Sequence, residues 1–234
     1  MSKHSHWAKV KRAKGAADRQ KAIVGSKMLK LISSAAKLGG GDPTMNFKLR
    51  LVMDTAKSSG VTKDAIDRAI AKATGSGAEA EVLETLLYEA YGPGGIALLI
   101  ECLASNRNKA VAEVKHALLV GGGHFGATGA VQWMFSHRGV LRYAKLQNDS
   151  FELKAIDAGA DDVLYEDDGY TVYTQLDNLE KVKNAIGEDV EFAGFQWIPK
   201  DRIPVPEAEQ SALEELLESL DELEDVSEVY TNAE

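Results

Sequence analysis

Cysteine is nearly absent from this chain of 234 residues: Cys102 is alone, so no internal disulfide can form. It lies in the apolar run IALLIECLA, where we expect a small buried hydrophobe, and a single cysteine is typical of a reducing compartment. No apolar run approaches the roughly 18 residues of a membrane span, and the N-terminal segment lacks the apolar stretch of a secretory signal. We therefore expect a cytoplasmic protein without a membrane segment.

Motifs of catalysis and cofactor binding are also missing. The chain has no G-x-S-x-G, no H-E-x-x-H, no Walker lysine loop and no G-x-G-x-x-G after a strand. His4 and His6 lack Cys or carboxylate companions at a usual metal-ligand spacing. We predict no catalytic residue, no metal and no cofactor, and hence that the protein is not an enzyme.

Positive charge is scarce in most of the chain but abundant at its start. Residues 1–75 hold 16 Lys and Arg against 5 Asp and Glu, whereas residues 76–234 hold 11 against 31. The whole-chain charge of −9 therefore combines a part of about +11 with a part of about −20. This division favours a polyanion-binding module joined to an acidic body. A solvated, lysine-rich helix face would give the same composition.

The basic lead segment, residues 4–21, reads HSHWAKVKRAKGAADRQK. Lys and Arg release counterions from phosphates, and a Trp beside them can stack on an unpaired base. A frayed lysine-rich terminus and a mitochondrial presequence are the alternatives. Because the excess charge covers the whole region, the predicted nucleic-acid contacts continue into the first helix; they are Lys3, Trp7, Lys9, Lys11, Arg12, Lys14, Lys21, Lys27 and Lys30.

Three amphipathic helices are predicted in residues 1–75. Apolar residues recur at three- and four-residue steps from Asp18 to Leu38, and GGGDP ends this helix. A second helix is predicted from Thr44 to Ser59, and a third from Lys63 to Ala73 with Thr62 as its N-cap. A helix-turn-helix reading of the last two is weak, because Asp64 and Asp67 would oppose entry into a DNA groove.

The remaining chain alternates short β-rich runs with helices. A hairpin around PGG, a helix begun at Asn106 and a strand AVQWMF are followed by strands and helices in the order β-α-β-β-α-β, typical of a ferredoxin-like unit. The final leucine-striped helix and the strand SEVYTN are expected to complete the earlier domain. We predict an α+β protein of three domains: a helical domain (1–75), an α/β domain (80–136 plus 205–234) and an inserted ferredoxin-like domain (137–204).

A further anion site is suggested by SNRNKA. This stretch opens a helix, so free backbone N–H groups and the helix dipole favour an anion, and Arg107 and Lys109 stand beside them. An ordinary capped helix start is an equally good interpretation. We expect a monomer, because the amphipathic faces are used up by cores within the chain.

Several long motifs resemble one family. HSHWAKVKRAK, AAKLGGGDPTMNFKLR, YEAYGPGGIALLIE, NRNKAVAEVKHAL, GGGHFGATGAVQWMF and VYTN are similar, in this order, to the YebC/PmpR family, which includes the mitochondrial translational activator of cytochrome oxidase I. Lys3 and His6 differ from the usual start of that family, and IVGSK stands where an aromatic followed by Ser or Thr is usual.

The resemblance implies three domains, one inserted in another, and a regulator of gene expression without catalysis. Family members are described as DNA-binding transcriptional regulators, and others as ribosome-associated translation factors that help synthesis through proline-rich stretches. The implied partner is therefore DNA or ribosomal RNA, and the ribosome is a further candidate partner. Since no convincing recognition helix is present, a lysine-rich arm with a Trp suits ribosomal RNA at least as well as a DNA groove.

Overall fold

The computed structural model describes residues 16–75, 83–144, 150–166, 169–187 and 190–234. Seven helices and eight strands lie in these ranges, and the chain has the predicted α+β class. It divides into two compact units. One contains the described residues up to Phe135 together with Pro199–Glu234, and the other contains Ser136–Ile198.

The N-terminal helices pack around a small apolar core. They are α1 (Ala16–Gly39), α2 (Phe47–Ser58) and α3 (Lys63–Thr74). The spacing of the apolar residues brings Ile32, Leu49 and Ile66 together with small alanines between the helices. The prediction of three helices is thus confirmed, including Thr62 as the α3 N-cap, whose hydroxyl accepts a hydrogen bond from the Ala65 N–H.

Helix α2 begins three residues later than predicted. Asp42 accepts hydrogen bonds from the backbone N–H and hydroxyl of Thr44, which keeps this stretch in a turn. Asn46 then acts as the N-cap, with its side-chain oxygen accepting from the Leu49 N–H. The polar side chains of this loop therefore compete with the helix for its first backbone groups, which is why the helix begins at Phe47 rather than Thr44.

The first sheet contains four strands in the order β3-β1-β2-β8. Strands β1 (Glu84–Tyr91) and β2 (Ala97–Ala104) form the predicted antiparallel hairpin, with Glu84 opposite Ala104 and Tyr91 opposite Ala97. β3 (His124–Phe125) pairs with β1. β8 (Val226–Thr231) returns from the end of the chain and pairs antiparallel with β2, with a bulge at Glu101/Cys102.

Two helices cover one face of this sheet. Helix α4 (Arg107–Val120) follows β2, and α7 (Glu207–Asp221) precedes β8. The leucine stripe of α7 packs on the same core as the inward side chains of β2, α4 and β8; its buried members are Leu213, Leu216, Leu217 and Leu220. The last helix and strand thus complete the earlier sheet, because the stripe requires an apolar face to cover.

One predicted strand is wrong. AVQWMF was expected to be extended, but Gln132–Met134 forms a single 3-10 turn and β4 begins only at Phe135. The reason is an acceptor from another strand: the Glu89 carboxylate binds three backbone N–H groups between Gly129 and Gln132. Those donors cannot also serve a sheet ladder.

The second unit has the β-α-β-β-α-β order of a ferredoxin-like domain. It comprises β4 (Phe135–Ala144), α5 (Phe151–Ala158), β5 (Asp162–Glu166), β6 (Gly169–Thr174), α6 (Leu179–Ile186) and β7 (Val190–Pro199). The strand order is β5-β6-β4-β7, and β6 pairs antiparallel with both β4 and β5. Tyr143 and Phe151 make an edge-to-face contact in its core.

Candidate nucleic-acid interface

The basic lead segment lies largely outside the described part of the chain. The predicted contacts in this segment and at Lys3 just before it number seven: Lys3, Trp7, Lys9, Lys11, Arg12, Lys14 and Lys21. The first six precede residue 16, and the side chain of Lys21 is likewise outside the described set. These seven predictions therefore stay predictions. The structure bears on the remaining four.

Lys27 is a structural lysine. Its side chain is only 6% exposed, and its Nζ lies 3.3 Å from Asp221 Oδ1 while also donating to the Asp221 backbone carbonyl. A cation in this position is enclosed by the C-terminal end of α7, where the helix dipole adds to the attraction. This geometry disfavours the predicted contact between Lys27 and phosphate.

Lys30, one turn later on α1, has a similar environment. Its Nζ lies 2.8 Å from Asp225 Oδ1 and 3.3 Å from Glu224 Oε1. Partial burial by itself would lower the pKa of Lys30, but the hydrogen bonds and charges of Asp225 and Glu224 outweigh it and raise the pKa. The ammonium ion is therefore held in place by carboxylates, which disfavours the predicted contact between Lys30 and phosphate as well.

Asp225 also reaches the predicted anion site at the start of α4. Lys109 Nζ lies 3.6 Å from Asp225 Oδ2 and 3.7 Å from Glu113 Oε1, and Arg107 lies 4.0 Å from Glu84. The carboxylate of Asp225, itself 8% exposed, thus joins Lys30 of the helical region to Lys109 of the sheet region. Sequence analysis singled out both lysines but had no means of finding the acid between them.

The first turn of α4 is capped from within the chain. Asn106 accepts a hydrogen bond from the Lys109 N–H through its side-chain oxygen. Arg107 remains 67% exposed at its side chain and Lys109 50%. Both cations can reach an anion in solution, although the neighbouring carboxylates reduce the positive potential that they present.

Glu89 has a structural role that sequence analysis missed. Its carboxylate accepts hydrogen bonds from the N–H groups of Gly129 (2.6 Å), Val131 (2.6 Å) and Gln132 (2.8 Å). Burial would raise the pKa of Glu89, but the three donors outweigh it and lower the pKa. An acid inside the apolar strand LLYEAY is unusual and could have drawn attention to this residue. Its partners, however, lie about 40 positions away in the chain, and the strand sequence does not identify them.

This carboxylate fixes a segment that presents an aromatic ring. Trp133 is 63% exposed, and its indole N–H donates to the Ala130 carbonyl. Lys200 donates to the Trp133 carbonyl through Nζ, at 2.7 Å. Trp133 is therefore held at the surface by a loop that is fixed by hydrogen bonds to Glu89 and Lys200 and by the indole bond to Ala130.

Two titratable groups of β2 are shielded from solvent. Cys102 is fully buried, and burial, reinforced by Asp225 and Glu101, raises the pKa of its thiol to about 12. Burial likewise raises the pKa of Glu101, against the opposing charge of Lys48 and a hydrogen bond from Tyr230. A thiol with this pKa is not a nucleophile at neutral pH. Among the described residues, no three His, Cys, Asp or Glu side chains are grouped to hold a metal.

The second and third helices are poorly suited to reading DNA. Asp64 and Asp67 are exposed on α3 among its basic residues, and carboxylates on the leading helix would repel phosphates.

None of the helices in the described ranges is both long and apolar enough to cross a membrane.

Comparison with known proteins gives matches along the whole chain. The model of the TACO1/YebC protein N-terminal domain matches residues 5–76, and that of the TACO1/YebC second and third domain matches residues 83–233. A protein of Shigella flexneri named probable transcriptional regulatory protein YebC is 40% identical over 238 residues, which cover all of this chain and 96% of the relative. A probable transcriptional regulatory protein of Serratia proteamaculans is 41% identical over 239 residues, with the same coverage.

A solved structure has the same fold. The crystal structure of the conserved hypothetical protein Aq1575 from Aquifex aeolicus superposes with a TM-score of 0.86 at 33% sequence identity. The match covers 98% of this chain and 97% of that protein.

Proposed function

This chain belongs to the TACO1/YebC family, and from that premise we propose that it is a non-enzymatic, nucleic-acid-binding regulator of gene expression that acts in the cytoplasm as a monomer. The observation that carries the proposal is the full-length similarity to relatives named as probable transcriptional regulatory proteins. The excess of positive charge in residues 1–75 supports it, because such a surplus attracts phosphates.

The proposed contacts are centred on the basic lead segment. Lys27 and Lys30 are excluded because carboxylates of the same chain enclose them. The other predicted contacts are kept, with Arg107 and Lys109 as secondary contacts; those kept in the N-terminal part are Lys3, Trp7, Lys9, Lys11, Arg12, Lys14 and Lys21. In this proposal the lysines bind phosphates and Trp7 stacks on an unpaired base.

Two targets are compatible with this chemistry. The names of the relatives favour a promoter. A specific observation favours ribosomal RNA: the exposed Asp64 and Asp67 on α3 make it a poor groove-reading helix. A basic segment with a Trp suits RNA, whose single-stranded loops expose bases for stacking. A translation factor that relieves stalling at difficult, proline-rich stretches is therefore the second candidate.

The deciding experiment compares the intact protein with a variant that lacks residues 2–21. Ribosomes are sedimented from lysate at physiological salt, and in parallel the protein is footprinted on DNA with excess competitor. Co-sedimentation that depends on residues 2–21 supports the translation role. A footprint on a defined promoter that survives competitor, with no protein in the ribosome fraction, supports the transcription role. If the truncated protein keeps both activities, the proposed interface is wrong.

A further inference from the structure

A groove between α1 and α3, with Leu83 also in its lining, has a volume of about 730 Å³. On α1 it is lined at every turn: by Ser26, then by Leu29 and Lys30, by Ser33 and Ser34, and by Lys37 and Leu38, so that successive turns contribute residues three to four positions apart along one stripe. At a rise of about 1.5 Å per residue, this stripe is about 18 Å long. The groove is therefore as long as a helix of about three turns.

The opposite wall has the same periodicity. Ala65, Ala69 and Ala73 face the groove from α3 at successive turns. Small side chains on both walls leave room for a third helix to approach closely, because interaxial distances fall with side-chain size. In a bundle this place is filled by another helix; here Leu38, at the rim, keeps 78% of its surface exposed.

The charged side chains that line the groove are all basic. Lys37, Arg68 and Lys72 line it, and Lys30, which also lines it, is paired with Asp225 and Glu224. None of the described residues that line the groove is Asp or Glu. An apolar floor with a cationic rim complements a helix that has apolar side chains on one face and carboxylates beside them.

A nucleic acid is a poorer fit for this groove. Leu and Ala side chains make most of its floor apolar, and three Ser hydroxyls are left to bind a sugar-phosphate strand. Phosphates bind to exposed cations on a polar surface, whereas an apolar channel gains free energy by burying apolar side chains.

We propose that the groove between α1 and α3 binds an acidic amphipathic helix of about three turns from a partner protein. The apolar face of that helix packs on Leu29, Ala69 and Ala73, and its carboxylates lie toward Arg68 and Lys72. This protein contact is separate from the nucleic-acid contact of the basic lead segment, so the chain can connect a nucleic acid with a second protein.

The test is a titration of the full-length, isotope-labelled protein with a synthetic peptide. The peptide has Leu on one helical face and Glu on the other, and a second peptide of the same composition has its order shuffled to break the periodicity. At physiological ionic strength we expect the patterned peptide to shift the amide resonances of residues 26–38 and 65–73. Its affinity should exceed that of the shuffled peptide by about tenfold.

Variants localise the contact. Reversing both rim charges, with Arg68→Glu and Lys72→Glu, should weaken binding of the patterned peptide by about tenfold. Lys63→Glu is the matched control, since this exposed lysine lies on the same helix but does not line the groove. Ala69→Phe fills the floor and should also weaken binding; if it unfolds the protein, the charge reversals decide.

Three results would overturn the proposal: equal affinity for the two peptides, an equal loss in Lys63→Glu, or resonance shifts elsewhere in the chain. Single-stranded RNA is titrated in parallel. If RNA shifts the same amide resonances, and if the double charge reversal weakens the binding of RNA rather than of the peptide, the groove belongs to the nucleic-acid interface. Failure of RNA to bind at all, with peptide binding intact, would count against the proposed function and leave the groove proposal standing.

Discussion

Glu89 shows how a single residue can decide the path of a distant segment. Its carboxylate is 7% exposed and receives hydrogen bonds from three backbone N–H groups between Gly129 and Gln132. Because charged acceptors form stronger hydrogen bonds than neutral ones, the ionised form of Glu89 stabilises the folded state. The residues before β4 are held in a turn for this reason rather than in the strand that their apolar character predicts.

Glu89→Gln is expected to lower the free energy of unfolding by about 1–3 kcal/mol near neutral pH, because an amide offers one neutral acceptor in place of two charged oxygens. The folded-state pKa of Glu89 is lowered, so its stabilisation is present above the usual glutamate pKa and is lost as the pH falls through the folded-state value. The difference between the two proteins in urea unfolding should therefore shrink in acid.

Amide hydrogen exchange gives the local readout for this prediction. The Gly129, Val131 and Gln132 amides should exchange faster in Glu89→Gln, while amides in the second unit should not change. Glu113→Gln, on the exposed side of α4, is the control. Unchanged exchange at those three positions would show that the carboxylate does not hold the segment.

At the scale of elements, the connection between α1 and α2 depends on one buried amide. Asn46 donates through Nδ2 to the carbonyls of Ala35 (2.9 Å) and Gly40 (2.8 Å) and caps α2 through Oδ1, 3.0 Å from the Leu49 N–H. It therefore satisfies the end of one helix and the start of the next. The N-caps Thr62 and Asn106 follow a local rule that a sequence reveals, whereas two of the Asn46 bonds depend on how the helices fold back.

Replacing Asn46 separates these roles. Asn46→Ala removes all three bonds and should lower the free energy of unfolding by about 1–3 kcal/mol. Asn46→Ser keeps a capping oxygen but not the two donors, so it should recover only part of the loss. Urea unfolding followed by circular dichroism measures both. A serine variant as stable as the native protein would mean that the contacts with α1 contribute nothing.

At the scale of the whole molecule, part of the charge division serves the fold. Lys27 and Lys30 on α1 bind Asp221, the last residue of α7, and Glu224 and Asp225, which precede β8. The positive and negative parts of the chain therefore attach to each other within one compact unit. The charge that remains for a polyanion is concentrated toward the lead segment.

Lys27→Gln should consequently affect stability rather than binding. It removes the Lys27 ammonium ion from Asp221, and we expect a loss of about 1–2 kcal/mol in the free energy of unfolding, discounted because Asp221 is partly exposed. The salt dependence of nucleic-acid affinity should stay unchanged. Lys57→Gln is the control, because its ion pair with Asp54 is exposed. A large loss of affinity with native stability would restore Lys27 to the interface.

The lead segment should show the opposite behaviour. Replacing Lys3, Lys9, Lys11 and Lys14 by Ala should reduce the slope of log affinity against log salt by about 3, because each phosphate contact contributes about 0.7–0.9. Thermal stability should be unaffected. The measurement is fluorescence anisotropy of labelled RNA and DNA over a salt series, and an unchanged slope would place the phosphate contacts elsewhere.

The sequence by itself determined the helices, the β1–β2 hairpin and the ferredoxin-like order of elements, because periodicity and capping act within a few residues. Its long motifs also identified the family. The lead segment remains a prediction from composition. Tertiary structure alone decided which cations are enclosed by carboxylates, why residues before β4 are not a strand, and that α1 and α3 border a basic groove. Each depends on groups brought together from distant positions, and neither charge nor hydrophobic pattern specifies which distant group will be the neighbour.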